Sequence, residues 1–202
     1  MEGGINAWNG IVAEGRPEES LSFFASARSA GEYIALAWHL EEGTNLFYQR
    51  VGEMTAGDEA AALYQELSHA EEHHQALLDD LNFRVTGRRI DPGTLRSAAF
   101  VLPAGRYVEG GLLLEEAIRR AQGKKQIDII EMAITLEANA FDRYLFMKGE
   151  VEDAPAKEVF TLLAAEERGH LERLASSRPP ERGSRDPGIT SPEPLYRRSK
   201  SS

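Results

Sequence analysis

The ten residues HAEEHHQALL (His69–Leu78) hold three histidines and two glutamates, a composition suited to metal binding. Successive residues of a helix turn by about 100°, so positions three apart lie about 60° apart on one face. Glu71 and His74 therefore share a face with Leu63, Leu67, Ala70 and Leu78, while His69 and His73 fall nearly opposite. The stretch offers one Glu-x-x-His unit on an apolar stripe. The fold turns on whether that unit has partners.

A shift of 96 residues supplies them. AWHLEEGTNLFY (Ala37–Tyr48) falls on AITLEANAFDRY (Ala133–Tyr144), and HAEEHHQALL falls on AEERGHLERL (Ala165–Leu174), without a gap. The identities are Ala37/Ala133, Leu40/Leu136, Glu41/Glu137, Tyr48/Tyr144, Ala60/Ala156, Leu67/Leu163, Glu71/Glu167, His74/His170 and Leu78/Leu174. Such self-similarity marks a duplicated structural unit. The polar identities left in each half are two glutamates, one tyrosine and one histidine. Glu72, His69 and His73 fall on Arg168, Ala165 and Gly169, so the shared unit is Glu71 with His74, and Glu167 with His170.

Helical periodicity spreads outward from these motifs. SAGE gives Ser29 as an N-cap with Glu32 three residues on, and the first long helix runs from there to about Val51. Gly57 and Asp58 interrupt the chain, and a second helix covers about Glu59 to Asn82. A connection with Gly87, Pro92, Gly93, Pro103 and Gly105 follows. Leu112–Ala121 reads as a short helix, and a third long helix covers about Lys125 to Lys148. A fourth opens at Asp153 and Pro155 and ends near Ser177. Glu18 to Ala27 reads as another short helix. No segment has strand alternation. The expected fold is all-α: a four-helix bundle with a long crossover between helices two and three and an internal two-fold repeat. Residues 1–17 read as an N-terminal arm and 18–178 as the bundle. Residues 179–202, with five of the nine prolines, read as a disordered or loosely docked tail.

On these helices Glu41, Glu71, Glu137, Glu167, His74 and His170 all lie on apolar stripes. Burying an unpaired carboxylate costs several kcal/mol. The stripes offer no lysine or arginine at matching positions, so four converging carboxylates call for cations, and two divalent ions would neutralise them. Cysteine is absent, which excludes thiolate metal sites and leaves oxygen and imidazole ligands. His69-Ala-Glu-Glu-His73 also matches H-x-x-E-H, a zinc-peptidase signature. It uses the outward face and is missing from the second half, so a chance match explains it better. A net charge of −10 argues against nucleic acid and anionic membrane as partners. No apolar run is long enough to span a bilayer, and no signal peptide is evident, which makes a cytoplasmic location the expectation.

Residues from Ser29 to Ser177 resemble the ferritin-like superfamily, and within it rubrerythrin-type domains, through the Glu…Tyr spacing and the AEE-plus-His motif. The resemblance implies an antiparallel four-helix bundle with a bridged di-iron site reacting with hydrogen peroxide or dioxygen. It implies Glu41 and Glu137 as mainly terminal ligands, Glu71 and Glu167 as bridges, and His74 and His170 each on one iron. Tyr48 and Tyr144 would donate hydrogen bonds that orient the carboxylates. Manganese or zinc could occupy the same ligands. Rubrerythrins carry a further carboxylate one turn after the third-helix ligand; here that residue is Ala140, and its repeat mate is Thr44. The rubredoxin domain is missing with the cysteines, so an external electron donor is implied. GGINAWNG in the arm resembles the last residues of a rhodanese domain, without its sulfur-transfer cysteine.

The function expected is a di-iron oxidoreductase protecting against oxidative stress. The alternatives are a ferroxidase, iron buffer or sensor with little turnover, and an interaction module. The long crossover permits helix exchange between subunits, which makes a homodimer one expected assembly.

Overall fold

The computed structural model describes residues 29–57, 60–91 and 105–178. The N-terminal arm, the expected helix at 18–27, the middle of the crossover and the C-terminal tail lie outside the described residues. Among the described residues there are five α-helices and one 3-10 turn: α1 (Ala30–Met54), α2 (Ala61–Thr86), the 3-10 turn (Glu109–Gly111), α3 (Leu114–Ala121), α4 (Gln126–Glu150) and α5 (Ala154–Ser176). Among the described residues there is no strand, only an isolated bridge between Tyr107 and Leu113. No helix among them is long and apolar enough to cross a membrane.

The helix ends follow from local chemistry. Ser29 accepts a hydrogen bond from the Glu32 N–H, and the Glu32 carboxylate accepts one from the Ser29 N–H, so two otherwise orphaned donors are satisfied. Asp153 accepts from the Ala156 N–H at 2.9 Å, with Pro155 in the first turn of α5. α2 runs one turn past the expected Asn82. That last turn is largely exposed and so left no apolar signal; Gly87, at φ 72°, is what closes the helix. α3 starts at Leu114, two residues later than expected, because the Leu113 N-cap is held in the bridge to Tyr107.

α1 pairs along α2 and α4 along α5, and the two hairpins also meet through α2 and α5. Two apolar clusters fill the bundle. One gathers Ile34, Leu40, Leu78, Tyr144, Phe160 and Leu163; the other gathers Phe47, Tyr48, Leu67, Ile130, Ile134 and Leu174. Between them sits a polar layer. The crossover returns across α1 and α4, both of which its 3-10 turn touches. Gly43 on α1 makes this approach feasible, because a Cβ there would collide with the Tyr107 carbonyl. Gly43→Ala is expected to cost about 1–3 kcal/mol by overpacking, read as a drop of several degrees in thermal unfolding. An unchanged midpoint would contradict this close approach.

Candidate metal centre

The polar layer is built from the six repeat-matched residues. Glu41 on α1, Glu71 and His74 on α2, Glu137 on α4, and Glu167 and His170 on α5 are each at most 2% exposed. They form two interlocking groups, Glu41–Glu71–His74–Glu167 and Glu71–Glu137–Glu167–His170. In each group one ligand-type atom per residue lies within 4.8 Å of all the others. Glu71 and Glu167 belong to both. The two imidazole rings stack across the layer with centroids 5.5 Å apart. A single chain brings all six together. His69, Glu72 and His73 are exposed, away from this layer.

The inner atoms converge. His74 Nδ1 lies 3.2 Å from Glu71 Oε2, 3.1 Å from Glu167 Oε1 and 3.6 Å from Glu41 Oε2. His170 Nδ1 lies 2.9 Å from Glu137 Oε2 and 3.1 Å from Glu167 Oε2. Glu41 Oε2 and Glu167 Oε1 are fully buried and, despite their nearness to His74, accept no well-aligned hydrogen bond. Buried carboxylate oxygens left this way lack the partner their desolvation demands. They face a space ringed by oxygen and imidazole donors, the ligand set that suits iron, manganese or zinc.

The tyrosines cross between the halves. The Tyr48 hydroxyl donates to Glu137 Oε1, and the Tyr144 hydroxyl donates to Glu41 Oε1. Burial, reinforced by Glu137, pushes Tyr48 well above the ordinary tyrosine value; burial does the same for Tyr144, so both remain donors. Each hydroxyl fixes one oxygen of its carboxylate and leaves the other toward the centre.

Three participants were not anticipated. Glu166 Oε2 lies 2.9 Å from His74 Nε2 and orients that ring so that Nδ1 faces inward. The same contact holds the Glu166 carboxyl below its ordinary value. Arg143 supplies a buried positive charge that lysine or arginine at matching positions would not reveal, since its repeat mate is Phe47: it is 1% exposed, and its Nη2 lies 2.6 Å from Glu41 Oε1. Glu109, on the 3-10 turn, is 2% exposed and places Oε1 2.7 Å from the same Nη2. Arg143 did carry a signal, since Leu136, Ala140 and Met147 occupy its stripe on α4 and all are buried. Ala140 is buried in the apolar core, so no carboxylate enters from that position.

Crowding separates the protonation of these groups. Burial raises Glu71 well above the ordinary carboxylate value, with the Glu41 charge adding to it. Burial also opposes the charge of Glu41, but the Glu71 hydrogen bond, Arg143 and His74 outweigh it and hold Glu41 low. In the other half burial and the Glu167 charge raise Glu137 to about 8. Burial likewise works against Glu167, yet His74 and His170 pull it down to about 2. Burial lowers His170, but Glu137 and Glu167 prevail and lift it to about 9. Each half thus pairs an ionised carboxylate with a protonated one, and protons occupy the place of missing positive charge.

Residues 128–186 match the family model described as Rubrerythrin, a ferritin-like di-iron family. This segment covers the second half of the repeat, with Glu137, Glu167 and His170. A solved structure of a hypothetical protein from Pyrococcus furiosus aligns with a TM-score of 0.59 and 26% identity, covering 80% of this chain and 92% of that one. No curated protein matches the chain.

Proposed function

We propose, from the rubrerythrin match over residues 128–186 and the geometry of the polar layer, that this chain is a di-iron redox protein reacting with hydrogen peroxide or dioxygen. The observation that carries the reading is the charge of the buried layer. Glu41, Glu71, Glu109, Glu137 and Glu167 are all buried, and Arg143 offsets one of them. With their protons displaced these carboxylates would leave four negative charges, which two divalent cations would balance, and two overlapping ligand groups are there to receive them.

Glu41, Glu71, His74 and Glu167 would hold one ion, and Glu71, Glu137, Glu167 and His170 the other. Bound iron supplies electrons and Lewis acidity toward peroxide or dioxygen. The chain supplies the rest. Glu166 fixes the His74 ring, the crossed tyrosines fix the outer carboxylate oxygens, and the two apolar clusters exclude bulk water from both ends. The chain has no cysteine to carry electrons inward, so turnover draws on an external reductant.

A second reading, a ferroxidase or iron buffer with little turnover, is favoured by one observation: Ala140 stands where rubrerythrins carry their further carboxylate. Anaerobic Fe(II) titration of metal-free protein tests the shared premise. A break at two irons per chain, lost in both Glu71→Ala and His170→Ala, is the expected result; iron binding indifferent to those substitutions would remove it. Sustained peroxide consumption with an added reductant then separates turnover from storage.

A further inference from the structure

Arg143 and Glu109 break the two-fold repeat. Phe47 stands at the position matching Arg143, and Glu109 lies on the crossover, outside the repeated segments. Arg143 Nη2 touches Glu41 Oε1 on one side and Glu109 Oε1 on the other, while Nε and Nη1 find no hydrogen-bond partner. The guanidinium also stacks over the Tyr144 ring, 4.1 Å from its centroid. A buried guanidinium against Glu41 opposes any cation that Glu41 holds, unless its own charge is met. Glu137 meets no guanidinium: its oxygens contact the Tyr48 hydroxyl and His170 Nδ1, beside Glu167.

Glu109 is held in place to meet that charge. Its N–H donates to Thr44 Oγ1 at 3.0 Å, one residue beyond Gly43, where the crossover presses against α1. Gly110 follows at φ 81°, a left-handed conformation that turns the chain back. Both Glu109 carboxylate oxygens are buried and accept no well-aligned hydrogen bond, and Oε1 is the one that faces Arg143.

We propose that Glu109 is a charge-balancing carboxylate of the centre, a positioning residue that acts through Arg143 so that the Glu41–His74 position can take a divalent cation. The inference rests on the dinuclear reading above. It makes the two positions unequal: only the one containing Glu41 depends on the crossover.

The test compares the full-length metal-free wild type, Glu109→Gln, and Glu109→Gln with Arg143→Met. Anaerobic Co(II) titration is followed by visible absorption, and bound metal is counted by equilibrium dialysis. Wild type binds two Co(II) per chain. Glu109→Gln keeps the first and weakens the second by at least ~30-fold, as expected when one partner of a buried charge pair is removed. The double variant removes the pair without changing its net charge and regains the second Co(II). Unchanged second-site affinity in Glu109→Gln, or a double variant no better than the single one, overturns the proposal. Wild type that binds fewer than two Co(II) overturns the dinuclear reading itself, and this inference with it.

Discussion

Glu167→Gln is expected to destabilise the metal-free bundle by about 3–5 kcal/mol, while Glu71→Gln, at the matching position of the other half, leaves it unchanged or more stable. The two residues sit in both ligand groups and share the same burial, so their difference lies in protonation. Glu167 is the ionised carboxylate on which both imidazoles converge, His74 Nδ1 and His170 Nδ1 each at 3.1 Å. Burial works against the charge of His74, but Glu167, Glu166 and Glu41 raise it well above the ordinary histidine value, as His170 is raised, so neutralising Glu167 leaves two buried, protonated rings short of a counter-charge. Glu71 is already held protonated by burial and by Glu41. A glutamine there keeps a donor toward Glu41 and removes a group whose ionisation the site resists. For a chain of this size the Glu167 substitution corresponds to a melting point on the order of 10 °C lower. Circular dichroism melts of the metal-free variants check this, and equal losses for the two would refute the assignment of charge. Under the proposed function the ranking disappears with metal, because each variant would lose a residue common to both candidate ligand groups.

The second large effect is on pH. In the metal-free protein the His170 value is raised to about 9, so its stabilisation is complete below the unfolded value near 6.5 and is lost as pH rises through 9. Glu137, raised to about 8, acts in the same direction: ionising it costs the fold stability between the ordinary carboxylate value and 8. Glu167, held at about 2, adds stability that vanishes only under strong acid. The metal-free bundle is therefore expected to lose stability steadily from about pH 5 to 9. Metal binding runs the other way. An ion held by Glu71, Glu137, Glu167 and His170 displaces the protons of Glu137 and His170 as well as that of Glu71, so below pH 8 its affinity should fall by at least about a hundredfold for each unit of acidification. Between 8 and 9 the Glu137 proton is already gone, and the slope falls by one proton. Calorimetric titration with Mn(II) in buffers of different ionisation enthalpy gives the proton count directly. A count near zero at pH 7 would contradict the protonation described here.

The six inward carboxylates and imidazoles were legible because a group that must point at one place on a helix has to recur at helical spacing, and here it recurs twice. Duplication separated Glu71 and His74 from the more conspicuous His69 and His73, which composition alone would have favoured. The helix starts were legible for a similar reason: Ser29 with Glu32, and Asp153 with Pro155, are local chemistry. The residues that make the site asymmetric were harder to see. Arg143 falls on Phe47 in the repeat, so self-similarity discards it, and only its place between Ala140 and Met147 marks it as buried. Glu166 falls on Ala70 and sits on the rim of its helix stripe. Glu109 belongs to no periodic element. Its position depends on how the crossover folds back against Gly43, a tertiary contact that no local pattern encodes.

The candidate ligand set is divided evenly between the hairpins, with Glu41, Glu71 and His74 from α1 and α2, and Glu137, Glu167 and His170 from α4 and α5. Neither hairpin alone holds a complete group, since every group draws on both. Under the proposed function each bound ion is thus a cross-link between two halves joined otherwise by packing and by the crossover, in a chain with no cysteine to form a disulfide. Chelation would cut that link. The halves could then separate as units, and their amides would exchange with solvent together at a rate set by free metal concentration.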